Sequence, residues 1–156
     1  MQDLRSASYA PVVGFVDRLQ TGFLHVHQAV YEGTRGTIGH RLIGVPSLLM
    51  TSVGRKTGAR RTAALVYAKD GDSFVVVASN GGADRPPGWL YNIAANPAVE
   101  VQLGRRHLDA TAEAITPDDD RYASLWQLVN KRNHGRYDSY QAKTARPIAL
   151  VRLTPT

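Results

Sequence analysis

The sequence predicts an α+β protein built around a small closed or split antiparallel β-barrel, with helices at its margins. Strand patterns follow one another closely and are joined by short turns that contain glycine, which is typical of hairpin-connected strands. The helical patterns lie outside those strand pairs, so the β-α-β alternation and G-x-G-x-x-G motif of a doubly wound sheet do not occur. At 156 residues the chain is expected to form one domain.

The first predicted element is an N-terminal helix over residues 9–32, where apolar residues recur at three- and four-residue spacing. A glycine-rich passage follows it. We therefore divide the single domain into residues 1–42, the helix and its connection, and residues 43–156, the β-barrel. The apolar face of the helix is expected to pack on the barrel, and contact with a membrane surface is the alternative.

The barrel elements are predicted from alternating apolar residues and from turn signals. In chain order we expect strands at 47–53, 62–68 and 73–79, a short helix at 87–95, strands at 99–103 and 107–114, a helix from 116 to 131, and a strand at 147–153. Pro87 suits the first turn of the short helix, and Pro97 ends it. Thr116 is predicted to be the N-cap of the longer helix, with acidic residues in its first turn.

Composition narrows the chemistry of the protein. The absence of cysteine excludes disulfides, thiol nucleophiles and thiolate metal sites. The five histidines are scattered and no H-E-x-x-H motif occurs, so neither a metal site nor a hydrolase is predicted. The net charge of +6 favours acidic partners such as phosphorylated cofactors, nucleic acid or anionic lipid. Since no bilayer-spanning apolar stretch or signal-peptide pattern is present, a cytoplasmic protein is expected, with membrane association through the N-terminal helix as the alternative.

The most informative segment is the predicted turn at residues 54–61, Gly-Arg-Lys-Thr-Gly-Ala-Arg-Arg, which we call the cationic turn. Its four cations can bind phosphate or carboxylate groups, and Thr57 adds a hydroxyl. Gly54 and Gly58 allow the backbone to bend and to approach a ligand closely. The turn is therefore either an anion-binding site or an ordinary charged loop in water, and composition alone does not separate the two.

A second candidate segment is the loop at residues 78–82, Ala-Ser-Asn-Gly-Gly, which follows a predicted strand. A hydroxyl, an amide and two glycines at a strand end can bond the polar edge of a flat heterocycle, although an ordinary turn has the same composition. Trp89 follows this loop and either presents its indole plane beside it or belongs to the core.

The third candidate segment begins at His134 and contains two tyrosines. Tyr137 and Tyr140 are three residues apart, so one helical turn would direct both phenols to the same side. Paired phenols can bind or protonate a substrate oxygen, and they are equally common as structural residues.

Three sequence blocks, taken together, resemble one protein family. They are T-S-V-G-R-K-T-G-x-x-R at residues 51–61, V-V-A-S-N-G-G at 76–82 and P-x-W-x-x-N-x-x-A-N-P at 87–97. In this order and spacing they resemble the deazaflavin-dependent nitroreductase and quinone reductase family of actinobacteria, whose members use coenzyme F420. The resemblance covers most of residues 43–153. It implies a split β-barrel related to the FMN-binding, pyridoxamine-oxidase-like fold.

The resemblance also implies a cofactor and the residues that hold it. The cofactor is F420, whose reduced form F420H2 donates hydride, and FMN is the less favoured alternative because the fold is shared. The cationic turn would hold the phosphate and the acidic tail, and the loop at residues 78–82 would lie along the deazaflavin ring. The implied cofactor-binding residues are Arg55, Lys56, Thr57, Gly58, Arg61, Ala78, Ser79, Asn80, Gly81, Gly82 and Trp89.

The chain departs from the nitroimidazole-reducing members of this family at two positions. Those members often carry lysine where Asn80 stands and an aromatic residue where Val66 stands. Tyr67 cannot replace that aromatic side chain, because adjacent residues of a strand face opposite ways. The substrate side of the pocket therefore differs from theirs.

The predicted function is that of an oxidoreductase which passes hydride from reduced F420 to an enone, quinone or nitro acceptor. The candidate catalytic residues are Ser79 near the ring and His134, Tyr137 and Tyr140 on the substrate side. A non-catalytic protein that holds F420 or a lipid in the barrel is the alternative. Nucleic-acid binding is not expected, because aromatic platforms beside the cations are not evident. A homodimer is a further hypothesis, since split barrels often pair across an exposed sheet face.

Overall fold

The computed structural model describes residues 45–156, and these residues form a closed antiparallel barrel of six strands. The strands are β1 (Ser47–Val53), β2 (Arg60–Asp70), β3 (Ser73–Val77), β4 (Ala98–Leu103), β5 (Arg106–Ile115) and β6 (Leu150–Pro155). Around the barrel they follow the order β1-β2-β3-β6-β5-β4, and β4 pairs with β1 to close it. The predicted fold class is confirmed. The helix predicted at residues 9–32 lies outside the described residues.

The described part of the chain also contains three α-helices and one short 3-10 turn. The helices are α1 (Gly88–Ala95), α2 (Tyr122–Arg132) and α3 (Arg136–Gln141), and the 3-10 turn is Asn80–Gly82. β3 ends at Val77, two residues before the predicted end, because Ser79 already has helical backbone angles (φ −78°, ψ −35°). The loop that follows β3 therefore begins at residue 78.

The start of α2 corrects one prediction. The hydroxyl of Thr116 bonds the carboxylate of Asp118, and the carbonyl of Thr116 accepts the N–H of Asp119 at 2.9 Å. These bonds close a turn, and the carboxylate of Asp119 then accepts the N–H of Arg121 at 2.9 Å. The prediction that Thr116 is the helix N-cap is therefore wrong, because the acidic residues that suggested a first helical turn precede a helix that begins at Tyr122.

The interior of the barrel is filled by apolar side chains from the strands. Those with 0% exposure are Leu48, Met50, Val76, Val101, Val151 and Leu153. Burial of one such side chain stabilises the fold by about 1.5–3 kcal/mol. α1 packs against this interior through Ile93, whereas α2 and α3 cover a second apolar cluster on the outer face that includes Val75 and Leu150. The barrel is thus a rigid support for the loops that connect its strands.

One edge of β2 is only partly paired, and this positions the candidate site. β2 has eleven residues, but β3 pairs with it only over Tyr67–Asp70. Residues 60–66, which we call the open edge of β2, pair with β1 on one side and with no strand of the described chain on the other. The loop after Val77 begins near Val66, at one end of this edge, and the cationic turn adjoins its other end. At about 3.3 Å per residue, Arg61 and Val66 are about 17 Å apart along the strand.

Candidate functional site

The cationic turn is held in shape by its own backbone. The N–H of Gly54 donates to the carbonyl of Ala59 at 2.7 Å, and the N–H of Gly58 donates to the carbonyl of Gly54 at 2.8 Å. The hydroxyl oxygen of Thr57 accepts the N–H of Ala59 at 3.2 Å. A Cβ at Gly54 would lie 3.1 Å from both the Ala59 carbonyl and the Thr57 hydroxyl oxygen, while Gly58 has a φ of +71°. A side chain at residue 54 would therefore require the Ala59 carbonyl or Thr57 to shift by a few tenths of an ångström, and one at residue 58 would have a strained backbone.

Helix α1 anchors one side of the cationic turn. The N–H of Arg55 donates to Oδ1 of Asn92 at 3.1 Å, and the guanidinium of Arg55 lies 4.7 Å from the centre of the Tyr91 ring. Asn92 is buried, whereas the side chain of Tyr91 is 41% exposed. Tyr91 is therefore an aromatic residue beside the turn, and sequence analysis did not select it. Trp89 is half-buried and packs against the barrel interior.

The four cations of the turn differ in how far they are already neutralised. Arg60 pairs with Glu100 at 3.1 Å, and this hydrogen bond, followed by that from His107, holds the pKa of the Glu100 carboxyl below its usual value. Lys56 and Arg61 are exposed, and no acidic side chain within residues 45–156 pairs with either. These two residues therefore leave positive charge available for an external anion.

The loop after β3 has an unusual backbone. Asn80, Gly81 and Gly82 have φ values of +45°, +64° and +85°, and they follow Ser79 in a right-handed helical conformation. A right-handed residue followed by left-handed ones turns successive N–H groups to one side, an arrangement that binds anionic or carbonyl oxygens. The N–H of Gly82 donates to Ser79 and that of Ala83 to Asn80, but those of Asn80 and Gly81 have no acceptor in the described chain.

Gly82 has a structural role that the sequence did not indicate. It is buried, and a Cβ on it would lie 2.5 Å from the carbonyl oxygen of Tyr140 in α3. A contact under 3.0 Å against backbone cannot be relieved by a side-chain movement. Glycine at this position therefore allows the loop to pack on α3.

Arg146 holds the same loop from the opposite side, and sequence analysis missed it. Its Nε donates to the carbonyl of Ala83 at 2.8 Å, one terminal nitrogen donates to Ser79 at 2.8 Å, and the other to Ala78 at 3.3 Å. No local signal identifies this residue, because the contacts span more than sixty positions of the chain. A single arginine with no neighbouring motif looks like an ordinary surface cation in a sequence.

The residues predicted for the substrate side lie on α3 and just before it. Tyr137 is 5% exposed, and its burial raises the pKa of its phenol above the usual value. Tyr140 is half-buried, with its ring centre 6.1 Å from that of Tyr137 and Nζ of Lys143 5.5 Å from its own. His134 is exposed in the turn before α3, with a φ of +56°. Because Tyr137 is buried, Tyr140 is the more accessible of the two phenols.

Helices α2 and α3 are joined by a hydrogen-bond network centred on Asp138. Its carboxylate accepts the indole N–H of Trp126 at 2.7 Å and the side-chain amide of Asn130 at 2.7 Å. Oδ1 of Asn130 in turn accepts the N–H of Tyr137 at 3.1 Å. This network fixes α3, and with it the surface on which the loop after β3 rests.

Three further features of residues 45–156 concern cavities, metal ligands and membrane-spanning helices. A cavity of about 270 Å³ is lined by residues of β1, β4 and β5, among them Glu100 and Asp109, and by Arg60 at the start of β2. None of the predicted cofactor-binding or catalytic residues lines it. Within this part of the chain, no three His, Cys, Asp or Glu side chains come together as metal ligands. Its helices are too short or too polar to cross a membrane.

The sequence matches a family of known activity. The family model of the F420H(2)-dependent quinone reductase matches residues 23–155. Over 132 residues the chain is 50% identical to an F420H(2)-dependent quinone reductase of Mycobacterium tuberculosis (strain ATCC 25618 / H37Rv), which corresponds to 84% of this chain and 89% of that protein.

Two solved structures share the fold. One is described as an F420-H2 dependent reductase (FDR-A), with 33% identity, a TM-score of 0.62, and coverage of 69% of this chain and 93% of that one. The other is described as a domain-swapped dimer, with 28% identity, a TM-score of 0.66, and coverage of 87% of this chain and 98% of that one. The split-barrel fold implied by the three sequence blocks is confirmed.

Proposed function

The chain belongs to the F420H(2)-dependent quinone reductase family, and from this premise we propose that it transfers a hydride from reduced F420 to a quinone-type acceptor. One observation carries the proposal. Lys56 and Arg61 of the cationic turn, which form no ion pair within residues 45–156, lie at one end of the open edge of β2, and the free amides of the loop after β3 lie at its other end. Between them the strand from Arg61 to Val66 spans about 17 Å. This spacing suits an elongated cofactor with a flat ring at one end and an anionic tail at the other.

The anionic end of the cofactor is assigned to the cationic turn. Lys56 and Arg61 supply charge that no described acidic residue neutralises, and the hydroxyl of Thr57 keeps its proton for donation because its oxygen accepts the N–H of Ala59. Arg55, stacked on Tyr91, adds a third charge at the side of α1. Charge-assisted hydrogen bonds of this kind contribute about 1.5–3 kcal/mol each.

The polar edge of the ring is assigned to the loop after β3. The N–H groups of Asn80 and Gly81 have no acceptor in the described chain, and the half-buried Ser79 offers a hydroxyl beside them. Fixed donors of this kind bind a carbonyl oxygen or a developing negative charge without reorganisation. When it is bound, reduced F420 supplies the hydride, and the chain holds and orients it.

The acceptor is assigned to the side of α3. Tyr140 and His134 are accessible there, whereas Tyr137 is enclosed between α2 and the barrel. We propose that Tyr140 contacts the acceptor oxygen and that Tyr137 supports the ring of Tyr140 from behind, at a centre-to-centre distance of 6.1 Å. Enone and nitro acceptors are assigned to the same site as further substrates.

The direct test follows the oxidation of F420H2 by its visible absorption. A quinone, an enone and a nitro compound are each offered as acceptor to the purified protein. The proposal expects turnover with the quinone that depends on enzyme concentration. Cofactor binding without turnover for any acceptor would instead support a non-catalytic F420-binding protein.

A homodimer is proposed as well, and the solved structure described as a domain-swapped dimer supports it at 28% identity. Light scattering of the purified protein gives the molar mass directly. The proposal expects twice the chain mass of 17.0 kDa, and a single-chain mass at micromolar concentration would contradict it.

A further inference from the structure

The guanidinium of Arg146 is bound to carbonyl oxygens alone. Its three hydrogen bonds go to the backbone of Ala78, Ser79 and Ala83, at 3.3, 2.8 and 2.8 Å. No acidic side chain within residues 45–156 pairs with it. Arg146 is half-buried, and it donates hydrogen bonds to three carbonyl oxygens of one loop. Its guanidinium therefore constrains the backbone conformation of that loop.

The segment that carries Arg146 is itself fixed. The side chain of Gln141 donates to the carbonyl of Arg146 at 2.8 Å and accepts the N–H of Ile148 at 3.0 Å. The hydroxyl of Thr144 donates to the carboxylate of Asp84 at 3.0 Å, which ties the same segment to the far end of the loop. The segment that carries the guanidinium is therefore held by Gln141 of α3 and by Asp84 at the far end of the loop.

The loop whose carbonyls Arg146 binds also contains N–H groups without a partner in the described chain. With the carbonyls of Ala78, Ser79 and Ala83 engaged by Arg146, the N–H groups of Asn80 and Gly81 keep no partner in the described chain. The left-handed angle of Asn80 costs free energy, up to about 1–2 kcal/mol for a residue with a Cβ, whereas Gly81 adopts its left-handed angle without that cost. A conformation of that cost persists only where its surroundings impose it.

We propose that Arg146 is a positioning residue: it holds the loop at residues 78–83 so that the N–H groups of Asn80 and Gly81 stay ordered as a donor pair for the polar edge of the deazaflavin ring. The ligand in this statement rests on the proposed function, and the effect on the loop does not. The effect requires the planar fork of arginine, since lysine has the charge but cannot reach three carbonyls in one plane.

The test compares Arg146→Lys with Arg152→Lys. Arg152 pairs through Nε with Asp70 at 3.0 Å, away from the loop, so the control makes the same chemical change without touching a loop carbonyl. Hydrogen–deuterium exchange of residues 78–84 is measured without cofactor. Exchange in Arg146→Lys is expected to rise by about tenfold or more, which corresponds to 1.4 kcal/mol of opening free energy, and to stay unchanged in the control.

The second readout is the cofactor itself. In Arg146→Lys the Kd for F420 and the KM for F420H2 are expected to rise by about tenfold, with the salt dependence of Kd unchanged because no anion contact is lost. Wild-type exchange in the variant would overturn the proposal. Raised exchange with wild-type Kd and KM would overturn the link from loop to cofactor. If the wild-type protein binds no F420, the proposed function fails, while the exchange comparison still decides the role of Arg146.

A milder variant covers the case in which Arg146→Lys does not fold. Thr144→Val removes the hydrogen bond to Asp84 that ties the same segment to the loop, together with the 3.3 Å bond that the Thr144 hydroxyl oxygen accepts from the N–H of Arg146, and it leaves the guanidinium intact. Exchange in residues 78–84 is expected to rise by less than in the arginine variant, and wild-type exchange would contradict the role assigned to this segment.

Discussion

The backbone N–H of Arg55 donates a hydrogen bond of 3.1 Å to Oδ1 of Asn92, although the two residues are 37 positions apart. This bond joins the cationic turn to α1, which itself packs on the barrel interior through Ile93. The turn therefore has a fixed position on the barrel before any ligand arrives. Preformed sites of this kind lose less conformational entropy when they bind.

Asn92→Ala is expected to loosen the cationic turn. Loss of Oδ1 leaves the N–H of Arg55 without its acceptor, so the free energy of unfolding should fall by about 1–3 kcal/mol and the affinity for F420 should fall with it. Denaturant unfolding and cofactor titration measure both quantities. Asn96→Ala is the matched control: Asn96 caps the same helix and bonds the N–H of Ala98, away from the turn. Equal cofactor affinity in both variants would contradict the anchoring role of Asn92.

Lys56→Ala and Arg61→Ala are each expected to weaken F420 binding by about 1.5–3 kcal/mol, because each removes an unpaired cation from the proposed tail site. Binding should also become less sensitive to salt. Arg60→Ala serves as the control, since Arg60 already pairs with Glu100 at 3.1 Å. If the Arg60 variant loses as much affinity for F420 as the other two, the assignment of the anion-binding charge to Lys56 and Arg61 would be wrong.

Gly82→Ala is expected to destabilise the protein more than Gly71→Ala. Both glycines have positive φ, +85° and +61°, so both changes carry the left-handed backbone cost of about 1–2 kcal/mol. Only at Gly82 does the new Cβ also meet the backbone of Tyr140, at 2.5 Å. Thermal unfolding of the two variants isolates the packing contribution. Equal losses in melting temperature would show that the loop does not rest on α3 as described.

Tyr140→Phe is expected to affect mainly kcat, and Tyr137→Phe is expected to affect mainly stability. Removal of the accessible Tyr140 hydroxyl should lower kcat for a quinone by about a hundredfold or more, in the range of general acid–base contributions, with little effect on stability. Removal of the buried Tyr137 hydroxyl should change stability more than kcat, since its side chain is 5% exposed. A kcat loss confined to Tyr137→Phe would reverse the assignment.

Acid is expected to weaken the turn before α2. Two hydrogen bonds from Arg121, first from its side chain and then from its backbone, hold the pKa of Asp119 at about 2, below its ordinary value of 3.8. A carboxyl whose pKa is depressed in the folded state stabilises the protein above its unfolded pKa and loses that contribution as the pH falls through the folded value. The loss should therefore fall between about pH 4 and pH 2. Melting temperature against pH should decline less steeply in Arg121→Gln, and identical slopes would contradict this.

The barrel could be predicted because its information is local. The strand predicted at residues 47–53 coincides with the observed β1, and the alternating residues 99–103 lie within the observed β4. The glycine between Asp70 and Asp72 closes the hairpin between β2 and β3 as its composition suggested. The prediction that Thr116 is a helix N-cap was wrong because the same residues that favour a helix N-terminus also close a turn. Local patterns do not separate those two uses of an acidic side chain.

The site could be predicted only in part. The three sequence blocks select the cationic turn and the loop after β3, but the roles of Gly82 and Arg146 depend on contacts that span 58 to 68 positions. Such contacts are created by the topology that brings the segment before β6 beside the end of β3. A single sequence does not show which distant carbonyl an arginine will bind.

The most direct test of the central claim is a comparison of F420 and FMN binding to the purified protein, by titration under identical salt and pH. Lys56 and Arg61, which form no ion pair within residues 45–156, and the length of the open edge of β2 predict tighter binding of F420, with the preference reduced in Lys56→Ala. Equal or tighter binding of FMN, or an F420 affinity that does not depend on Lys56 and Arg61, would contradict the account.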